Sequence, residues 1–270
     1  MEKQILGIIG GLGPIATARF MELVIAMTDA RTDQENVDMI VYNFPSIPDR
    51  TGYILGSNLK SPLPGLKSVA HSLVRQKVSC IAIPCVTAHY FHRELQSTIP
   101  VPILNGVSET VRLLKESGIK KVGIMATDGT IRSRLLAREL DYAGIIPVIP
   151  SEKRQEDVMH LIYQNVKAGK PAEMERFHRV QKELMDCGCE IIILGCTELS
   201  IIRRDHQITS GVIDVMEVLA RESVLRCRKK LRPEYETLIK GENAYAEKHS
   251  GISGGHRRAP AGQNCLFRRA

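Results

Sequence analysis

The chain has 270 residues, of which 43% are hydrophobic and only 4% aromatic, and it carries a formal net charge of +7. That is enough for one large domain or two small α/β ones, and the absence of any run of about 18 apolar residues argues against membrane insertion or export and for a cytoplasmic protein. Four arginines in 251–270, a stretch without acids, supply much of the charge; the remaining 33 basic residues face 30 acidic ones, too even a balance and too few stacking rings for a nucleic-acid binder.

Ile5 to Ile9 is an apolar run of strand length, and Ala16 to Ala30 follows with helical period. Between them lies Gly10-Gly11-Leu12-Gly13-Pro14. Gly11, Gly13 and Ala16 formally satisfy the dinucleotide fingerprint, but the second strand, Met39 to Asn43, runs into Phe44-Pro45 and offers no acid to hold a ribose. A glycine loop at a helix N-terminus binds any anion that needs close backbone approach, so a small carboxylate suits this loop, Gly11 included, better than a nucleotide. Pro48-Asp49-Arg50-Thr51 reads as a loop on the same carboxyl edge. Arg50 has the fork to grip a carboxylate, although an isolated loop arginine is more often plain surface.

Leu66 to Gln76 is helical, Cys80 to Pro84 a buried strand and Thr87 to Ser97 helical again. Cys85 thus stands at a helix N-terminus, where free N–H groups and the macrodipole favour a thiolate. A lone cysteine there is more often a packing residue. Cys85 with His89 suggests a hydrolase, and His89 with His92 a metal, but no orienting residue accompanies the first pair. No second pair of zinc spacing follows either, Cys187-Gly188-Cys189 included. Thr98-Ile99-Pro100-Val101-Pro102 stops the helical pattern at two prolines and reads as a crossing between lobes.

The pattern then restarts. Gly106 to Ser117 is helical, Lys121 to Ala126 a strand, Ile131 to Ala143 helical and Ile146 to Ile149 a short strand. Glu156 to Ala168 and Ala172 to Cys187 are helical, and Glu190 to Leu194 is a strand that stops at Gly195-Cys196-Thr197, repeating the setting of Cys85. Two thiols at the carboxyl edges of two parallel sheets, facing one cleft, are what an acid and base on opposite faces of one carbon need. Cys80, Cys187, Cys189 and Cys227 read as packing residues, and the odd total of seven without an export signal favours reduced thiols. Lys167 is ambiguous, since exposed helical lysines are the rule.

Val212 to Leu231 reads as a last helix that returns to the first lobe. The expected class is α/β, with two similar lobes, each a mainly parallel sheet flanked by helices, and a cleft between them. Residues 1–99 with 212–232 form the first lobe, 100–211 the second, and 233–270 a C-terminal extension whose part 251–270 reads as a linker or expression remnant.

Five motifs in register carry a resemblance. Gly10-Gly11-Leu12-Gly13-Pro14, Ile47-Pro48-Asp49-Arg50-Thr51, Pro84-Cys85-Val86-Thr87-Ala88-His89, Ala126-Thr127-Asp128-Gly129-Thr130 and Gly195-Cys196-Thr197-Glu198 together resemble the aspartate/glutamate racemase superfamily, closest to its aspartate racemase branch. The resemblance runs from about Gln4 to about Arg226. It implies a cofactor-independent isomerase, without pyridoxal phosphate or metal, acting on a small amino-acid substrate and usually assembled as a homodimer. By position, Cys85 and Cys196 would be the acid/base thiols, Thr87 and Thr197 would hold the α-carboxylate, and Arg50 and Lys167 the side-chain carboxylate. Thr127 and Thr130 would shape the cleft from the second lobe. The family's usual motif has asparagine where this chain has Val86, and a valine donates nothing to a carboxylate. The expected reaction is racemisation of an acidic amino acid, aspartate first and glutamate second. The alternatives are another amino acid, isomerisation of a related diacid, or a binding protein for amino acids or dicarboxylates whose catalysis Val86 impairs.

Overall fold

The computed structural model describes residues 3–239. It contains two separate parallel sheets. The first is built from β1 (Ile5–Gly10), β2 (Asp38–Asn43) and β3 (Cys80–Ala82) in the order β2-β1-β3. The chain then runs beside β3 once more, where Ile81 pairs in parallel with Ile103. The second sheet holds β4 (Lys121–Ala126), β5 (Ile146–Val148), β6 (Ile191–Gly195) and β7 (Val212–Asp214) in the order β5-β4-β6-β7. The two sheets are therefore wound alike: each starts in the middle, steps to one side, then crosses to the other. The switch in direction falls between β1 and β3 in one sheet and between β4 and β6 in the other, which are the positions where loops splay apart and leave a crevice at the carboxyl ends of the strands.

Strand alternation sorts the side chains onto two faces. In the first sheet Leu6, Ile8, Cys80 and Ala82 face one apolar cluster, while Ile9, Ile81 and Ile83 face the other. The first cluster is closed by α1 (Pro14–Met27) through Phe20, Leu23, Val24 and Met27, spaced as one face of a helix. The opposite cluster is closed by α3 (Leu63–Arg75), which follows a short α2 (Arg50–Ile54), and by Leu95 of α4 (His92–Gln96). The second sheet repeats the plan. Val122, Ile124, Ile191 and Ile193 meet α5 (Gly106–Glu116) and, beyond the short α6 (Asp128–Arg132), α7 (Leu135–Ala143). Met125, Ile192 and Leu194 meet α8 (Glu152–Met159), α9 (Met174–Asp186) and α10 (Thr197–Asp205). Each such fully buried aliphatic side chain contributes about 1.5–3 kcal/mol relative to exposure.

The last α-helix among the described residues, α11 (Val215–Arg226), is apolar on two sides. Met216, Leu219, Ala220 and Val224 pack into the first lobe's core, and Val215 and Val218 into the second's. It is a shared wall rather than the property of one lobe. Its predicted beginning at Val212 is taken by β7, which pairs with β6, so the second sheet extends to Asp214 and past the expected lobe limit of 211. Asp214 then caps α11 by accepting from the Met216 N–H at 2.8 Å. Three further local differences stand out. Arg50 opens a helix rather than lying in a loop, because the Asp49 side chain accepts from the Gly52 N–H and caps it. The helix predicted over 131–143 is broken at Arg134, whose φ is +55°. Residues 160–166 wind as a wider π-type turn between α8 and Lys167. The expected tail at 251–270, with Cys265, lies outside the described residues.

Candidate active site

The two thiols come to the same place by the same route. β3 ends before Ile83 and Pro84, and Cys85 is the extended residue that precedes a 3-10 turn over Val86–Phe91. β6 ends at Gly195, and Cys196 is the extended residue that precedes α10. Both therefore stand at the cap position immediately before a helical segment and at the switch point of their own sheet. They line one cavity of about 10 Å³, together with Leu12, Asp49, Arg50, Thr51, Val86, Thr87, Thr127, Lys167, Thr197 and Glu198. A space of that size holds about one water molecule, so an amino-acid-sized ligand enters only when the walls part.

Of the residues singled out in the sequence, Arg50, Cys85, Val86, Thr87, Thr127, Lys167, Cys196 and Thr197 all line this cavity. Thr130 stands just behind it. Its hydroxyl is 3.1 Å from that of Thr87 and 3.2 Å from that of Thr127, which is itself 3.1 Å from Thr87. The three buried hydroxyls form a closed triangle that clasps the first lobe to the N-terminus of α6. Gly11 lies outside the lining. Its N–H donates to the Thr17 hydroxyl at 2.9 Å, and its φ of +89° brings it so close to the Phe44 backbone that a Cβ would sit 2.4 Å away. Gly11 therefore shapes the loop, and its amide is not offered to a ligand. Leu12, next to it, lines the cavity instead.

Arg50 is buried and turned inward. Its Nη1 donates to the carbonyls of Ile47 and Pro48, and its Nη2 to that of Leu12 at 2.9 Å, so it staples the glycine loop to the loop after β2. Its Nε, equally buried, has no partner. Three of the five guanidinium N–H groups are thus spent on backbone carbonyls, and the Nε–H with the second hydrogen of Nη2 is left for a ligand. Lys167 reaches the cavity from its rim. Its ammonium stands 4.1 Å over the Tyr163 ring. Withdrawal from water alone would lower its pKa, but the charge of Glu198 and the thiols of Cys196 and Cys85 hold it above the ordinary lysine value.

Glu198 was not singled out as a site residue. Its Oε2 accepts from the Cys196 thiol at 2.8 Å and from the Thr197 hydroxyl at 3.3 Å. Its Oε1 points across to the first lobe, 3.5 Å from where a Cβ on Gly13 would stand, so the carboxylate faces the N-terminus of α1. Burial, and then the Glu198 charge, push the Cys196 thiol well above its ordinary pKa, with Lys167 opposing. The signal was present: an acid two residues after a thiol, on the first turn of a helix, is within reach of that thiol. His89, weighed as a base, is fully engaged elsewhere. The Gly106 N–H donates to its Nε2, so Nδ1 carries the hydrogen and donates to the Cys85 carbonyl at 3.1 Å. Burial lowers its pKa to about 4, which keeps the ring neutral. Among the described residues no group of three or more His, Cys, Asp or Glu side chains is placed to hold a metal, and no helix is long and apolar enough to cross a membrane.

Residues 9–223 match the family model described as Asp/Glu/Hydantoin racemase. The chain is 27% identical to the broad specificity amino-acid racemase RacX of Bacillus subtilis (strain 168), over 81% of this chain and 96% of that protein. Its structure is similar to that of the Picrophilus torridus aspartate racemase, with a TM-score of 0.76 and 31% identity, over 87% of this chain and 99% of that one. The fold is also shared with a glutamate racemase from Francisella tularensis, with a TM-score of 0.60 at 18% identity, over 90% of this chain and 86% of that one. The chain belongs to the Asp/Glu/Hydantoin racemase family, and it is an isomerase of the amino-acid racemase type.

Proposed function

We propose that this member of the Asp/Glu/Hydantoin racemase family racemises an acidic amino acid, aspartate first and glutamate second, with Cys85 and Cys196 as the two proton carriers. The observation that supports this most is that both thiols line one small cavity whose walls hold threonine hydroxyls, the Lys167 ammonium and Arg50 with its partnerless Nε–H, beside the carboxylates of Asp49 and Glu198.

The chemical difficulty is an α-C–H bond of very low acidity beside a carboxylate. A thiolate on one face takes the α-hydrogen as a proton, the bonding pair stays on carbon, and the thiol opposite delivers its own proton to the other face. The two cysteines then end in exchanged states, and the reverse reaction uses them in exchanged roles. Burial and Glu198 hold the proton on Cys196, which makes it the acid in one direction, with Cys85 as the base on the opposite face. For the opposite direction Glu198 takes the Cys196 proton over the 2.8 Å contact, Lys167 offsets the charge left behind, the Cys196 thiolate removes the α-proton, and the Cys85 thiol delivers its own proton to the other face. Thr87 and Thr197 reach the α-carboxylate by turning their hydroxyls away from Thr127 and Glu198, while Lys167 and the Arg50 Nε–H hold the side-chain carboxylate. The proton traffic runs on the two thiols and Glu198 alone. A homodimer in the cytoplasm completes the proposal, and sedimentation velocity reads the oligomeric state.

The test is incubation with each enantiomer of aspartate and glutamate in heavy water, followed by chiral analysis and mass measurement. Deuterium at the α-carbon with loss of chirality supports the assignment, and absence of exchange for every amino acid tried overturns it. One observation favours a second reading inside the same chemistry, a neutral amino acid as substrate: Val86 presents an apolar wall, and most of the Arg50 guanidinium is spent on backbone carbonyls. A relative at 27% identity carries the name of a broad specificity amino-acid racemase. The same exchange assay, run over neutral amino acids, decides between the two.

A further inference from the structure

A second cavity, of about 300 Å³, lies between the lobes and away from the thiols. Its walls are α1 of the first lobe, α10 of the second, the loop after α10, and the β7–α11 junction. α1 begins at the glycine loop and α10 at Cys196, so the cavity borders the same two helices that open onto the catalytic cleft. Arg203 is seven residues along α10 from Cys196, a rise of about 10 Å.

Three guanidinium groups line it, from Arg19, Arg203 and Arg204, against two acids, Asp214 and Glu217. The acids are already committed. Asp214 is buried and accepts from the Ser200 hydroxyl at 2.7 Å and the Met216 N–H at 2.8 Å, and Glu217 is ion-paired with Arg203, whose Nε also donates to the Ile208 carbonyl. Arg19 and Arg204 are held only from the surface. Glu22 reaches Arg19 at 3.1 Å and Arg204 at 3.9 Å, and Asp205 reaches Arg204 at 2.6 Å, with the two carboxylates 58% and 49% exposed. Pairs of that kind contribute little and exchange readily for a better anion. Gln207 and Thr209 add neutral donors at the rim. The available charge inside the cavity is therefore cationic, and it comes from both lobes.

The geometry points to a binding pocket for a small dianion, carrying either a phosphate or two carboxylates, held by Arg19 from one lobe and Arg204 from the other. Such a ligand would tie α1 to α10 directly behind the cleft. Calorimetric titration of the full chain with inorganic phosphate and, separately, with glutarate distinguishes the two sources of negative charge. The expected result is one site for at least one probe, with Kd of about 1 mM or tighter, weakened at least about tenfold in the Arg19→Ala/Arg204→Ala double variant and unchanged in Lys167→Ala. Both arginine side chains are at or near the surface, and a thermal melt confirms that the double variant folds. Absence of saturable binding by either probe overturns the proposal. Binding that survives the double variant and disappears in Lys167→Ala also overturns it, because the anion then sits in the catalytic cleft.

Discussion

The Cys85 shoulder and the Cys196 shoulder are built alike and equipped differently. Each follows a strand at the switch point of its sheet, and each cysteine is extended at the start of a helical segment, with φ of −155° and −149°. Around Cys85 the support goes to the backbone: the neutral ring of His89 holds its carbonyl, and Val86 packs into the second lobe's apolar cluster. Around Cys196 the support goes to the sulfur itself, through Glu198. One shoulder is fixed in place and the other is tuned in acidity. A symmetric fold thus presents two thiols of which one carries a carboxylate on its sulfur and the other does not, and the proposed relay between opposite faces of a carbon draws on that difference.

The comparison is tested most severely by removing each sulfur. Cys85→Ser and Cys196→Ser should each lower racemisation by about 10³-fold. Each should still exchange the α-hydrogen of one enantiomer in heavy water, and the two variants should favour opposite enantiomers. If both lose exchange equally for both enantiomers, the two thiols do not serve separate faces.

The His89 contact sharpens the picture of the Cys85 shoulder through stability. Its folded pKa of about 4 lies below the ordinary 6.5, so the fold binds the neutral ring. That contribution is complete above about pH 6.5 and is lost as pH falls toward 4, amounting to about 3 kcal/mol for a shift of roughly 2.5 pH units. Urea unfolding at pH 7 and pH 4 should therefore show a drop in the wild type that is smaller by that amount in His89→Gln. Equal drops would mean that the ring is not held neutral by the fold.

On the other shoulder, Glu198→Gln should separate tuning from placement. The amide keeps the volume and loses the base, so turnover should fall by about 10²-fold. The carboxylate raises the Cys196 pKa, so its removal should let the thiolate form at lower pH. Alkylation by iodoacetamide, followed residue by residue, should shift to lower pH at Cys196 and stay where it was at Cys85. An unmoved Cys196 profile would break the claim that this thiol is tuned by its neighbour.

How far this asymmetry was legible in the sequence depends on the kind of signal. The strands before both thiols were readable because buried parallel strands are short unbroken apolar runs, and Ile191-Ile192-Ile193-Leu194 has few other uses. The cap at Asp49 was not, because α2 is a five-residue helix with Gly52 inside it and no apolar period, and only the side-chain hydrogen bond reveals it. β7 was absorbed into the following helix because Val212 and Ile213 are apolar in either conformation. The orientation of Arg50 is a choice among backbone carbonyls that its neighbours in sequence do not encode. Glu198 was visible as a residue, but its pairing with the Cys196 sulfur depends on the first turn of α10 being helical from Thr197 onward.

Val86 gives the smallest expected effect and the most direct bearing on substrate. It lines the cavity, is 4% exposed and packs with Val107, Val111 and Ile124, so it faces the ligand and the second lobe's core at once. Val86→Asn would add a donor toward a substrate carboxylate, and a hydrogen bond to a charged group contributes about 1.5–3 kcal/mol, enough to raise kcat/KM for aspartate about tenfold. The same amide would stand against apolar neighbours, at a cost to folding of about 1–3 kcal/mol wherever its polar atoms go unpaired. The two effects are read separately, by kinetics on aspartate and by the urea midpoint. A lowered midpoint with faster aspartate turnover supports an acidic substrate held where an amide helps. A lowered midpoint with slower turnover of aspartate and of neutral amino acids alike would show that the valine positions Cys85 through packing. Loss confined to neutral amino acids would mean that the apolar wall is the specificity element, and the acidic-substrate assignment would fall with it.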